Sequence, residues 1–317
     1  VFKNVMVFKL GAGWSATVEQ IEQALEQQRF VECGPTQERS AGWIPPRGEE
    51  HGALVESIGG QYLLKLAVES KAVPAAVVKR KADERAQEIE ATTGRKPGKK
   101  EIRDLREEAK QTLLPYAFSK RGSVTVWLDI QAQRMVLDSG SQGRADEVIT
   151  ALVKVLDGFV VQELHTATSS TAAMAEWLST QEPPAGFSIE RECELKAVDE
   201  SKSVVRYANH ALDIEEIRRH ISEGKLPTRL AVSWDDRVSF VLTEGMQLRK
   251  LSFADGVFEK TSKEKEDNFD ADAAIVTGEI GRLIPDLIEA LGGEIVIGTA
   301  ADTAPVAAAS AQADAPF

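Results

Sequence analysis

Apolar positions along the chain switch between a period near two and a period near three and a half, and the switches mark out its elements. Over residues 2–10 the run is short and apolar, with β-branched Val5 and Val7 and with Lys3 and Lys9 sharing one side, which reads as a strand. Ser15 or Thr17 can cap the next segment, where Val18, Ile21 and Leu25 recur at helical spacing. Gly34-Pro35 and Trp43-Ile44-Pro45-Pro46 read as loop. Residues 53–58, Gly59-Gly60 and 61–68 read as a hairpin with a glycine turn. Pro74 suits the first position of a helix, whose inner face would be Val78, Ala82, Ala86 and Ile89 and whose end falls near Gly94. Pro97-Gly98 then interrupts the chain, and 99–114 reads as a second helix.

Beyond it, 123–130 and 134–138 make another hairpin. Residues 145–156 form a helix with Val148, Leu152 and Val155 inward, 159–165 a strand and 172–178 a short helix. The pattern resets after Gln181-Glu182-Pro183-Pro184-Ala185-Gly186. Strands follow at 187–198 and 204–208, a helix at 214–221, and strands at 229–234, 238–242 and 247–253. A charged turn at 260–268 precedes a short strand at 273–276 and an amphipathic helix at 280–291, closed by Gly292-Gly293. Residues 298–317 contain 9 alanines in 20 positions and read as a disordered tail. The expected class is α+β, with mixed or antiparallel sheets, flanking helices and a protruding two-helix arm. The expected division is an N-terminal α+β region (1–70 with 122–182), an inserted basic helical arm (71–121), a C-terminal α+β region (187–295) and the 298–317 tail.

Charge changes this picture more than composition does. At 317 residues and 43% hydrophobic, the chain can bury a sizeable core as two domains or one elaborate one. Aromatics are only 6%, so stacking platforms for unpaired bases are not a theme. Cys33 and Cys193 give neither a disulfide framework nor a metal cluster, which fits a reducing cytoplasm. No apolar run approaches the roughly 18 residues of a membrane span, so the expected location is the cytoplasm, without a membrane partner. The net charge of −12 disfavours nucleic acid until it is divided. Residues 71–121 hold 14 Lys and Arg against 8 Asp and Glu, a surplus of six, so the remainder carries −18. Screening limits electrostatic contacts to about 8–10 Å in physiological salt, so the local sign decides what each part attracts.

Within the second helix of the arm the signs are sorted. At about 100° per residue, Lys99, Arg103, Arg106 and Lys110 fall within about 60° of one another. Ile102, Leu105, Ala109 and Leu113 form the adjacent apolar stripe, and Glu101, Asp104, Glu107 and Glu108 take the far side. An ordinary solvated face, with pairs such as Arg103 and Glu107 four residues apart, accounts for the same pattern. An anion-binding edge is the other account, helped by the turn Gly94-Arg95-Lys96-Pro97-Gly98-Lys99-Lys100. Where the arm ends, Pro115 places Tyr116 and Phe118 near a chain reversal. They are either core side chains where the arm rejoins a sheet or an anchor for another subunit.

Catalytic signals are thin. Gly94 to Lys100 has three residues between its glycines where a phosphate loop needs four, followed by Lys-Lys. His51, His165, His210 and His220 show no ligand spacing. Asp235-Asp236 and Asp270-Ala271-Asp272 are acidic pairs that a magnesium nuclease would use, and strand-end turns place such pairs equally well. No cofactor is expected.

Several islands together resemble the RdgC family of bacterial recombination-associated proteins. They are Phe2-Lys3-Asn4-Val5-Met6-Val7, Cys33-Gly34, Gly42-Trp43-Ile44-Pro45-Pro46, Leu113-Leu114-Pro115-Tyr116-Ala117-Phe118-Ser119, Phe269-Asp270-Ala271-Asp272, Thr277-Gly278-Glu279 and Leu287-Ile288-Glu289-Ala290-Leu291-Gly292-Gly293. The resemblance implies a non-enzymatic homodimer, closed into a ring with a basic hole. It would bind double-stranded DNA without sequence preference, associate with the nucleoid and restrain RecA-driven strand exchange. It also implies DNA-facing roles for Arg95, Lys96 and Lys225, sets Asn209 and His210 where the family has polar or basic residues, and implies a ring-closing role for Phe118. Lys99, Lys100 and Arg103 join the DNA-binding set through the charge pattern, and Tyr116 joins Phe118 at the dimer contact. Two other functions stay open: a scaffold whose basic arm docks an acidic protein, and a metal-dependent nuclease.

Overall fold

A computed structural model describes residues 2–258 and 265–295, so the 298–317 tail lies outside the described residues. Among these residues the chain is α+β, with seven helices and one twelve-stranded sheet whose named strands all pair antiparallel. β1 (Val5–Leu10) is followed by α1 (Val18–Glu26), then β2 (Arg39–Ile44), β3 (Glu56–Ile58) and β4 (Gln61–Lys71). The helices α2 (Ala75–Thr93) and α3 (Lys99–Leu113) come next, and a single 3-10 turn at Leu114–Tyr116 leads into β5 (Ser119–Asp129). Then follow β6 (Arg134–Asp138), α4 (Gln142–Val155), β7 (Val161–Glu163) and α5 (Ser170–Thr180). β8 (Phe187–Ala197), β9 (Val204–Ala208), α6 (Glu215–Ser222), β10 (Lys225–Trp234), β11 (Val238–Thr243), β12 (Leu248–Phe253) and α7 (Lys265–Ala290) complete the order.

The sheet runs β2-β4-β5-β6-β1-β12-β11-β10-β8-β9, with β3 on β4 and β7 on β1. Its central strands are buried on both faces, which is why their apolar runs hardly alternate. Successive side chains of a strand point to opposite faces. Accordingly Met6, Leu64, Val126, Leu128, Met135 and Leu137 enter one core, while their neighbours Val5, Leu63, Trp127 and Val136 enter the other. The first core is closed by α1 (Ile21, Leu25) and α4 (Val148, Leu152). The second is closed by α5 (Met174, Trp177) and α7 (Ile280, Ile284, Leu287), and it continues onto β8 and β10. α1 starts where Thr17 accepts from the Gln20 backbone N–H at 3.3 Å and Gln20 reaches back to Thr17 N at 2.9 Å, a reciprocal cap.

Three expectations change. Trp43 lies in β2, paired with Leu66 of β4, and is fully buried rather than in a loop. Gly42 makes room for this: a Cβ there would meet the Phe30 backbone at 2.5 Å, where the 28–30 segment hydrogen-bonds along β2. The short strand at 273–276 and the separate helix at 280–291 are one helix, α7, because the Val276, Ile280, Leu283 and Leu287 spacing is helical throughout. Pro285 sits inside that helix, and its missing N–H removes one bond without ending it. Finally, Pro74 caps α2 from just outside rather than occupying its first turn.

Candidate nucleic-acid interface

The basic segment leaves the sheet after β4 and returns in β5, strands that pair from Tyr62 with Leu128 to Lys71 with Ser119. α2 and α3 pack on each other through a small core of Ala82, Leu105 and Ala109, flanked by Val78, Ala86 and Ile89. This is the inner face that the periodicity predicts. Gly94 ends α2 at φ 71°, a left-handed cap whose N–H donates to Glu90 O at 2.8 Å.

The turn between the helices is fastened by one carboxylate. Glu101 accepts from the Gly98 backbone N–H at 3.3 Å and from Arg95 Nη1 at 3.0 Å. Arg95 is therefore engaged in shaping the turn. Lys96 lies 3.9 Å from Glu90 and is largely exposed. Lys99 and Lys100 are exposed, and among the described residues no carboxylate approaches either within 4.0 Å. They occupy the first two positions of α3, where the helix dipole is positive and a cation is disfavoured. Nothing in the local fold rewards them there. Arg103 is exposed, with Asp104 Oδ1 at 3.9 Å in place of the expected Glu107, which instead accepts from Gln111 Nε2 at 3.2 Å.

The four-cation edge expected on α3 is thus three cations long. Lys110 bends to the body and pairs with Glu38 at 2.6 Å, and that hydrogen bond raises the pKa of its ammonium. Arg121, at the base, lays its guanidinium 4.1 Å over the Phe30 ring.

Lys225 stands apart from this set. It opens β10, five strands along the sheet from β5, or roughly 24 Å at the usual strand spacing. Its side chain is 16% exposed, with Nζ 3.0 Å from His220 Nδ1 and 3.9 Å from Glu223. Within one chain the fold does not bring Lys225 together with Arg95, Lys96, Lys99, Lys100 and Arg103. Asn209 adopts φ 53°, its carbonyl accepting from Arg191 at 3.1 Å, and His210 Nδ1 lies 2.7 Å from Ala211 O.

The aromatic pair is decided against core packing. Tyr116 is 83% exposed and Phe118 is 94% exposed, although Leu114 beside them is fully buried. Two large apolar rings, two residues apart, face outward at the foot of α3.

Acidic candidates separate in space. Asp235 and Asp236, at φ 49° and 53°, form the tight turn between β10 and β11. Asp270 lies on α7 rather than at a strand end and pairs with Arg47 at 2.5 Å. Among the described residues no group of three His, Cys, Asp or Glu side chains could hold a metal ion. Cys193 is buried on β8, and burial pushes its thiol up to about 12.

A count along 71–121 omits two cations that the fold carries to the base of the helical pair, Arg39 of β2 and Arg144 of α4. Their only signal is cross-strand register and helix docking, neither of which a linear charge count contains.

Comparison with known proteins agrees over nearly the whole chain. The family model described as "Putative exonuclease, RdgC" matches residues 1–294. The recombination-associated protein RdgC of Dechloromonas aromatica is 44% identical over 301 residues, covering 93% of this chain and 98% of that protein. Those of Cupriavidus pinatubonensis (42% over 296 residues) and Herminiimonas arsenicoxydans (40% over 296 residues) each cover 92% of this chain and 98% of their own length.

Proposed function

The chain belongs to the RdgC family, and from that premise we propose that it binds double-stranded DNA without sequence preference. It does so as a ring-shaped homodimer, and by occupying duplex DNA at the nucleoid it restrains RecA-mediated recombination. The observation that carries this reading is the segregation of charge. A surplus of six positive charges lies on residues 71–121 of a chain whose remainder is −18, with Lys99, Lys100 and Arg103 exposed. Cations that pair with phosphates release counterions and carry no base information, so affinity is steeply salt-dependent and indifferent to sequence. The acidic remainder repels polyanions from the outside.

Dimerisation answers two features that a single chain leaves open. Exposed Tyr116 and Phe118 have the aromatic character of interface anchors. Lys225 is remote from the α2–α3 turn within one chain, and a second copy closing the circle would set both around one duplex. The test is retention on DNA by topology. Closed circular duplex should hold the protein through a high-salt wash that strips it from linear DNA of equal length. Equal loss from both forms would remove the ring from the account.

The words "putative exonuclease" in the family description motivate a second reading. Incubating end-labelled duplex with Mg²⁺ or Mn²⁺ separates the two, since DNA binding alone leaves the label in full-length strands. A scaffold docking an acidic protein is the third reading, and it requires a partner that stays bound after nuclease treatment in high salt.

A further inference from the structure

At the foot of the helical pair, beneath α4, a cavity of about 270 Å³ opens on the sheet. Register explains its lining. Arg39 of β2 is paired with Ser70 of β4, and Ser70 with Lys120 of β5. Cross-strand partners share a face of the sheet, so the three side chains form a row across it. One step along the strands, Gly122 faces Val68. There Arg144 of α4 lies over the glycine, its guanidinium nitrogens 3.5 and 3.7 Å from where a Cβ would stand.

Three cations therefore meet in one recess with a single carboxylate, Glu147, which is engaged with Arg39. Among the described residues neither Lys120 nor Arg144 has a carboxylate within 4.0 Å. Arg144 also sits in the first turn of α4, where the helix dipole opposes a cation. The chain as a whole has 50 Asp and Glu for 38 Lys and Arg, so two uncompensated cations facing one recess are not the by-product of a basic protein.

We propose that Arg39, Ser70, Lys120 and Arg144 form a phosphate-binding subsite, separate from the α2–α3 turn. Arg144 supplies the planar fork that suits phosphate oxygens, Lys120 the compact charge and Ser70 a hydroxyl donor. The phosphate comes from the backbone of bound duplex or from a free polyphosphate. The first source rests on the DNA-binding reading and would extend its contact from the turn down the length of α3, about 22 Å for 15 residues.

The test uses the full chain and the double variant Lys120→Gln with Arg144→Gln. Arg39 is kept because it pairs with Glu147. Both substitutions are at exposed positions, so the thermal midpoint should match the parent. Duplex affinity is measured by fluorescence anisotropy across a salt series, and sodium tripolyphosphate binding by calorimetry. If duplex DNA fills the subsite, the slope of log affinity against log salt becomes shallower by about 0.9 per protomer engaged, for the one phosphate held there. If a free polyphosphate fills it, the duplex slope is unchanged, and tripolyphosphate binds the parent at least tenfold more tightly than the variant. An unchanged slope together with equal tripolyphosphate binding overturns the proposal. A parent that binds no duplex defeats the DNA reading instead, and the calorimetric arm still decides the subsite.

Discussion

Replacing Lys99, Lys100 and Arg103 together by alanine separates the work of the exposed cations at the start of α3 from the stability of the fold. None of the three has a close ion pair, the nearest contact being Arg103 to Asp104 at 3.9 Å. Alanine is at least as good a helix former as Lys or Arg. Removing Lys99 and Lys100 from the positive end of α3 relieves an unfavourable interaction with the dipole, so stability should change by no more than about 1 kcal/mol. Binding should change far more. If each cation meets one phosphate, three per protomer and two protomers on one duplex contribute about 5.4 to the salt slope, at about 0.9 per contact. Between 50 and 200 mM salt the parent would then lose about a thousandfold more affinity than the variant, an upper bound that assumes all six contacts form. Anisotropy titration of a labelled duplex at four salt concentrations measures this, with circular dichroism to show that the helices are retained. A variant slope within one unit of the parent would refute the reasoning. Arg95 is a poorer choice for this purpose, because Glu101 ties it into the turn and its loss disturbs structure as well as charge.

Phe118→Ala should leave the circular-dichroism spectrum unchanged, since the ring is 94% exposed within one chain, yet shorten the protein's lifetime on closed circular DNA by tenfold or more. Equal lifetimes for variant and parent exclude a closing role. Gly94→Ala forces a side chain into φ 71° and should weaken the α2–α3 turn by about 1 kcal/mol. Hydrogen exchange should quicken in α2 and α3 but not in the central strands. Glu279→Gln should destabilise the C-terminal half by about 1–3 kcal/mol at neutral pH. Glu279 is buried on α7 and accepts from Arg237 at 2.6 and 2.9 Å and from Arg282 at 2.5 Å. The Arg237 hydrogen bonds, with Arg282 adding to them, hold its carboxyl below the ordinary 4.5, so this contribution is complete above that value and lost as pH falls through the lowered one. Urea midpoints of variant and parent should therefore converge as pH falls below about 4.5, whereas a pH-independent gap would show that Glu279 acts by packing alone.

The strands and helices that face one core, or one stripe of one core, were legible in the chain. Val78, Ala82 and Ala86 announce α2, and Ser15 or Thr17 announces the start of α1, with the fold selecting Thr17, because local periodicity and capping chemistry are properties of neighbouring residues. The positive surplus on 71–121 was legible for the same reason, since charge is counted without coordinates. Burial on both sheet faces was not. It removes the alternation from the central strands, whereas Trp43, on the edge strand β2, is masked by Gly42 before it and Pro45-Pro46 just after it. The charged approach and β-branched Ile275-Val276 of α7 mimic a turn and a strand.

The site divides along the same line. Sequence placed cations at 95–110, but only the fold showed which are occupied: Arg95 by Glu101 and Lys110 by Glu38, leaving Lys99 and Lys100 free of carboxylates among the described residues. Only the fold turned Tyr116 and Phe118 outward, and only strand register set Arg39 and Lys120 on either side of Ser70. The physical reason is range. Propensity, capping and net charge act over a few residues or none, whereas ion pairing and exposure depend on atoms brought together from positions far apart in the chain.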